Sequence, residues 1–108
     1  MVEVPTIDEL SLLHANVCQA LGDPKRIMII YALDGEPQHV TALAEKLGFP
    51  QPTVSRHLRI LRQRALVETE RSGPAVIYRL SDKRIIDILD EMRQIMRDAL
   101  TRQNDLLV

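Results

Sequence analysis

Between Val40 and Leu80 the apolar residues change their spacing once, and that change narrows the possible folds more than any other feature of the chain. Val40, Leu43, Ala44 and Leu47 recur at helical intervals, and Gly48 closes the run. A second helix begins near Gln51. Its apolar positions Val54, Leu58, Leu61 and Ala65 share one face, and at about 100° per residue the opposite face collects Ser55, Arg56, Arg59, Arg62 and Gln63. Beyond Ala65 the period falls to two. Residues 66–70 and 75–80 therefore read as two strands joined across Ser72, Gly73 and Pro74.

Helical spacing also flanks this stretch on both sides. Ile7, Leu10, Leu13, Val17, Ala20 and Leu21 mark a first helix, with Thr6 placed to cap its start and Gly22 to end it. Asp23 before Pro24 restarts the chain as a helix, because Asp accepts from exposed amides and proline suits the first helical position. That helix runs through Ile27, Ile30 and Tyr31 to about Leu33, where Asp34, Gly35, Glu36 and Pro37 break it. Ser81 or Asp82 caps a long last helix whose stripe of Ile85, Ile88, Leu89, Met92, Ile95, Met96, Ala99 and Leu100 is wider than one small domain covers.

A chain of 108 residues fits one domain around one hydrophobic core, and no repeat or low-complexity stretch divides it. Apolar runs fall far short of the ~20 residues that span a bilayer, and the start is acidic where a signal peptide would be basic, so a cytoplasmic protein with no membrane partner is expected. The single cysteine, Cys18, cannot form an intramolecular disulfide, and zinc-site spacings are absent. Charge is distributed unevenly. Residues 51–79 carry six arginines against Glu68 and Glu70, a balance of +4, while the remainder carries eight basic and thirteen acidic residues, a balance of -5. Phosphate attraction requires only that the contacting face be positive, so a net charge of -1 is compatible with a nucleic-acid partner.

Two short helices around a glycine turn, the second basic, followed by a hairpin, is the order of a winged helix-turn-helix. The segments Ala20-Leu-Gly-Asp-Pro-Lys-Arg26, Leu43-Ala-Glu-Lys-Leu-Gly48, Thr53-Val-Ser-Arg-His-Leu-Arg-Ile-Leu-Arg62 and Tyr78-Arg-Leu80 resemble the ArsR/SmtB family of bacterial repressors over about residues 10–100. The expected fold is mainly α (α+β), with five helices and a two-stranded β-hairpin wing between the recognition helix and the last helix. The expected single domain 1–108 contains a helix-turn-helix at about 40–64, a wing at about 66–80, and dimerisation helices at about 6–21 and 82–102. The resemblance implies a repressor that binds a pseudo-palindromic operator in double-stranded DNA as a homodimer, with no assigned effector ligand. Relatives usually have a serine or threonine where Pro50 stands. Pro50 supplies no side-chain cap, which leaves the helix intact but allows it to start a residue later.

A major groove ~12 Å wide admits one helix, and the amino-terminal half of that helix reaches the base edges. The candidate DNA contacts are Gln51, Thr53, Ser55 and Arg56 near the bases, Arg59 toward the backbone, and Arg71 nearest the tip of the wing. Arg62 and Arg64 sit late in the helix, where a solvated face competes with a phosphate contact. In the wing, Arg71 and Arg79 are both placed to straddle the adjacent minor groove, each set against cross-strand pairing with Glu68 or Glu70, and Arg71 is favoured. His57, on the flank of the apolar face, is assigned a packed or hydrogen-bonded role. The candidate dimer interface comprises Leu10, Val17, Ile88, Met92, Ile95 and Ala99.

Many relatives release DNA on binding a metal. The thiolate pair of arsenic and cadmium sensors falls here on His39 and Thr41, and residues 82–104, where zinc and cobalt sensors place histidines among acids, contain neither histidine nor cysteine. No metal and no cofactor is therefore expected. His14 and Cys18, spaced i, i+4, are the residual candidate pair, from which two protomers would supply a two-histidine, two-cysteine set, set against a partly buried histidine beside a packed cysteine. Two other functional classes are considered. A winged helix used for protein contact would turn the arginine face to an acidic partner. An enzyme would need a nucleophile with its base, paired carboxylates or a phosphate-cradling glycine loop, and the sequence has none of these.

Overall fold

A computed structural model describes residues 3–107, without the side chain of Leu107; Met1, Val2 and Val108 of the expected domain 1–108 lie outside the described residues. The elements in chain order are α1 (Ile7–Leu13) continued by a π-helical turn (His14–Cys18), α2 (Pro24–Gly35), α3 (Val40–Leu47), α4 (Gln51–Gln63), β1 (Val67–Ser72), β2 (Ala75–Leu80) and α5 (Arg84–Leu107). This is the expected winged helix-turn-helix, with the wing between α4 and α5.

Local chemistry accounts for most of the boundaries. Thr6 Oγ1 accepts from the Glu9 amide at 3.2 Å, and Asp23 Oδ1 accepts from the Lys25 amide at 2.8 Å, so both caps stand where the sequence places them. Of the two candidates for the start of α5, Asp82 is the cap, its Oδ1 accepting from the Arg84 amide at 2.9 Å. Helix α4 starts at Gln51 despite Pro50, which stands at its N-cap without a side-chain bond. Gly48 closes α3 in the left-handed region at φ 72°.

Four details depart from expectation. The first helix widens at His14–Cys18, where the Gln19 amide reaches back to the His14 carbonyl at 2.9 Å. Asn16 Nδ2 donates to the Leu12 carbonyl at 2.8 Å, occupying the acceptor that the Asn16 amide would use in a regular helix. Helix α2 runs on to Gly35 rather than stopping at about Leu33. Ala65 is not on the apolar face of α4. It lies beyond the end of that helix, exposed, at φ 60°. The Ala65 amide bonds the Arg62 carbonyl and the Leu66 amide bonds the Leu61 carbonyl, both at 3.0 Å, the double bonding of a Schellman turn with alanine where glycine is usual. The wing strands are also shifted: β1 extends to Ser72, which pairs with Ala75, so only Gly73 (φ 61°) and Pro74 form the turn.

Ile29 and Ile30 of α2, Leu43 of α3, Val54, Leu58 and Leu61 of α4, and Val67 of β1 are fully buried and form the centre of the core. Gln38 ties the wing to this core. Its backbone exchanges two hydrogen bonds with Tyr78, at 3.0 and 2.8 Å, and its buried side chain donates to the Ala32 carbonyl at 3.0 Å. Helix α5 joins the core only through its first turns, at Ile85, Ile86 and Leu89. The radius of gyration is 16.7 Å, whereas a compact chain of this length gives about 13 Å, because α5 projects from the body. No helix among the described residues is long and apolar enough to cross a membrane.

Candidate nucleic-acid interface

Burying Val54, Leu58 and Leu61 fixes the rotation of α4 about its axis and so determines what its other face presents. Gln51, Arg56, Arg59, Arg62 and Arg64 are exposed, and Thr53 and Ser55 are half-buried. The outer face is thus positive along its length, and no acidic residue lies within the helix. Among the described residues none of these arginines forms an ion pair or a side-chain hydrogen bond with the protein. Their guanidinium groups are free to meet phosphate or base edges.

The two wing arginines differ. Arg79 stands opposite Glu68 in the β1–β2 register and forks its guanidinium between Glu68 Oε1 and Glu70 Oε2, both at 2.9 Å. Its charge is committed within the hairpin. Arg71, beside the turn and opposite Val76, is exposed with no ion pair among the described residues, which makes it the available cation of the wing.

His57 is 4% exposed, and its Nδ1 lies 3.3 Å from Arg26 Nη1. Burial holds its pKa below the usual 6.5; the charges of Arg26, Arg56 and Lys25 act the same way, and Asp23 opposes them. Facing inward, this histidine is no base reader. Arg26 is the residue that sequence reasoning missed: it stands within the Asp-Pro-Lys-Arg stretch, but nothing in its spacing indicates a partner 31 residues away.

The expected dimer residues fall on a second, apolar surface. Leu10, Ile88, Met92 and Ile95 are exposed, and Val17 and Ala99 half-buried. Helix α1 contributes no buried residue at all. A groove of about 290 Å³, lined by Leu13, Val17, Leu66, Ile85 and Ile88, runs between the two elements.

The residues weighed as metal ligands, His14, Cys18, His39 and Thr41, are all exposed, so His14 and Cys18 are not the packed pair of the alternative reading. His39 is the exposed residue before α3, Thr41 offers no thiolate, and Cys18 is exposed on the π-helical turn. Among the described residues no three His, Cys, Asp or Glu side chains converge, so His14 and Cys18 gain no third ligand within the chain.

A family model described as bacterial regulatory proteins of the arsR family matches residues 23–69, from the cap of α2 into β1. The transcriptional regulator NmtR of Mycobacterium tuberculosis is 43% identical over 77 residues, covering 71% of this chain and 64% of that protein. KmtR of the same organism, also a transcriptional regulator, is 34% identical over 96 residues, covering 89% of this chain and 68% of that protein. The chain thus spans 64% and 68% of the lengths of these two relatives. The crystal structure of NolR from Sinorhizobium fredii superposes with a TM-score of 0.73 at 33% identity, covering 88% of this chain and 95% of that one. Sequence and architecture agree, and the chain belongs to the ArsR family of bacterial regulatory proteins, which are winged helix-turn-helix transcriptional regulators and not enzymes.

Proposed function

We propose that this chain is a cytoplasmic, sequence-specific repressor of transcription that binds a pseudo-palindromic operator in double-stranded DNA as a homodimer. The observation that carries this reading is the division of α4 into a buried face of Val54, Leu58 and Leu61 and an exposed face led by Arg56 and Arg59. A helix held in this way presents its amino-terminal half, Gln51 to Arg56, to the base edges, with Arg59 further along on the backbone and Arg71 of the wing on the adjacent phosphates. The apolar stripe of α5 and the uncovered face of α1 support pairing with a second copy. A two-fold axis through them sets two recognition helices in successive major grooves, ~34 Å apart.

The protein-contact alternative predicts duplex binding that depends on bulk charge and not on sequence. The two separate cleanly when the chain is used to enrich duplexes from a random library. Repressor function predicts enrichment of a two-fold symmetric site, with half-sites about one helical turn apart. An unenriched pool refutes it. Position of the enriched site over the promoter of a regulated gene, read in a transcription assay, then distinguishes repression from activation.

A further inference from the structure

Arg26 stands in the first turn of α2 with its guanidinium turned across the start of the helix. Its Nε donates to the Ala20 carbonyl at 2.7 Å and its Nη2 to the Gln19 carbonyl at 3.2 Å. Nη1 lies 3.3 Å from His57 Nδ1 and 3.9 Å from the Asp23 carboxylate. The Gln19 and Ala20 carbonyls close the first helical segment; the Gln19 carbonyl also accepts from the Gly22 amide at 3.1 Å, and Arg26 supplies a side-chain donor to each. His57 belongs to α4, between Arg56 and Leu58. One guanidinium therefore joins the end of the first helix, the cap of α2 and the recognition helix. Because its donors form a rigid planar fork, the three directions are fixed together.

This contact is directional where the rest of the seat of α4 is not. Val54, Leu58 and Leu61 hold the helix by apolar packing, which decides the face that is buried but, being non-directional, leaves small adjustments of angle and position to polar contacts. Among the described residues the bond to His57 is the only hydrogen bond made by an α4 side chain. His57 points inward and its neighbour Arg56 outward, so a turn of the helix that displaces one displaces the other.

The geometry points to Arg26 as a positioning residue for DNA recognition: through His57 it sets the pose of Arg56 in the groove and ties that pose to the end of the first helix. This rests on the proposed reading of α4 as the recognition helix. The same contact is sensitive to protons. Arginine only donates, so Nδ1 must accept, which requires a neutral His57 carrying its proton on Nε2. Burial favours that neutral form. The charged groups near enough to act on His57 are Asp23, Lys25 and Arg26 of the α2 start and Arg56 of its own helix. A protonated His57 turns a donor and a positive charge toward Arg26, and the bond is lost.

The test uses the full chain and the duplex it enriches from a random library, with a scrambled duplex as reference. His57→Leu removes the acceptor but keeps an apolar side chain in the buried site, while His57→Asn restores an acceptor near the Nδ1 position that does not titrate. The expected result is that His57→Leu and Arg26→Lys each lose roughly tenfold in the ratio of enriched to scrambled affinity, at the small end of the cost of a base contact. His57→Asn should retain most of the ratio and, unlike the wild type, keep it as the pH falls from neutral to about 5. Thermal unfolding confirms that each variant is folded at the assay temperature. If His57→Leu fails to fold, the comparison of Arg26→Lys with wild type and the pH series on His57→Asn still decide. An undiminished ratio in folded Arg26→Lys and His57→Leu, or a wild-type ratio that does not change with pH, overturns the proposal. A wild type with no preference for any duplex instead removes the reading of α4 on which it rests.

Discussion

Replacing Ile95 with glutamate puts a carboxylate at the centre of the exposed stripe on α5, in a side chain that is 62% exposed in the single chain. Burying a whole isoleucine side chain contributes ~1.5–3 kcal/mol, so covering the exposed part of Ile95 contributes ~1–2 kcal/mol. A two-fold interface loses this twice. The two losses come to ~2–4 kcal/mol, before the cost of desolvating two carboxylates that face each other near the axis. Since 1.4 kcal/mol is a factor of ten, the dissociation constant should rise by about a hundredfold or more. Folding of the body should survive, because the core contacts of α5 end at Leu89. Sedimentation at micromolar concentration should give twice the chain mass of 12.3 kDa for the wild type and the single mass for Ile95→Glu, with circular dichroism unchanged. A well-folded monomeric wild type, or a variant that associates as tightly as the wild type, refutes the reasoning.

Three further outcomes follow from particular residues. Ala65 at φ 60° bears the strain of a left-handed conformation, so Ala65→Gly should raise the unfolding free energy by ~0.5–1 kcal/mol in a urea titration; no gain would mean that the turn relaxes without cost. His57 has a depressed pKa, so its contribution to stability is complete above about 6.5, the ordinary value, and is lost as the pH falls below it, when the unfolded chain takes up a proton that the folded chain resists. Urea midpoints should therefore decline on acidification less steeply in His57→Asn than in wild type, and parallel declines would contradict this. Zinc, cadmium and arsenite should leave the complex with duplex DNA intact; release that disappears in Cys18→Ser would show that Cys18 is a ligand.

The sequence was legible wherever one residue's neighbours along the chain dictate its environment. The caps at Thr6 and Asp23 and the glycine closing α3 are local and stand in the structure as read, as does the apolar face of α4 at Val54, Leu58 and Leu61, and the switch to period two yields the two strands with shifted bounds. What stayed hidden depends on distant partners or on a conformation that the residue type does not advertise. Arg26 meets His57 across 31 residues, and Gln38 adds its backbone to β2 as an extra bridge; no periodicity encodes either. Ala65 reads as one more apolar residue of α4, because alanine carries no sign of a positive φ. The pairing of Arg79 was visible only as a choice between hairpin and phosphate, and the geometry of its fork to Glu68 and Glu70 settles that choice.

The central claim is that Arg56 reads sequence from the outer face of α4 while Arg71 holds backbone from the wing. It is tested most directly by the affinities of wild type, Arg56→Ala and Arg71→Ala for the enriched and scrambled duplexes across a salt series. Arg56→Ala should cost ~1–3 kcal/mol on the enriched duplex and bring its affinity toward that of the scrambled one. Arg71→Ala should weaken both duplexes alike and lower the salt slope by about 1. Undiminished binding of the enriched duplex by Arg56→Ala would contradict the placement of this helix in the groove.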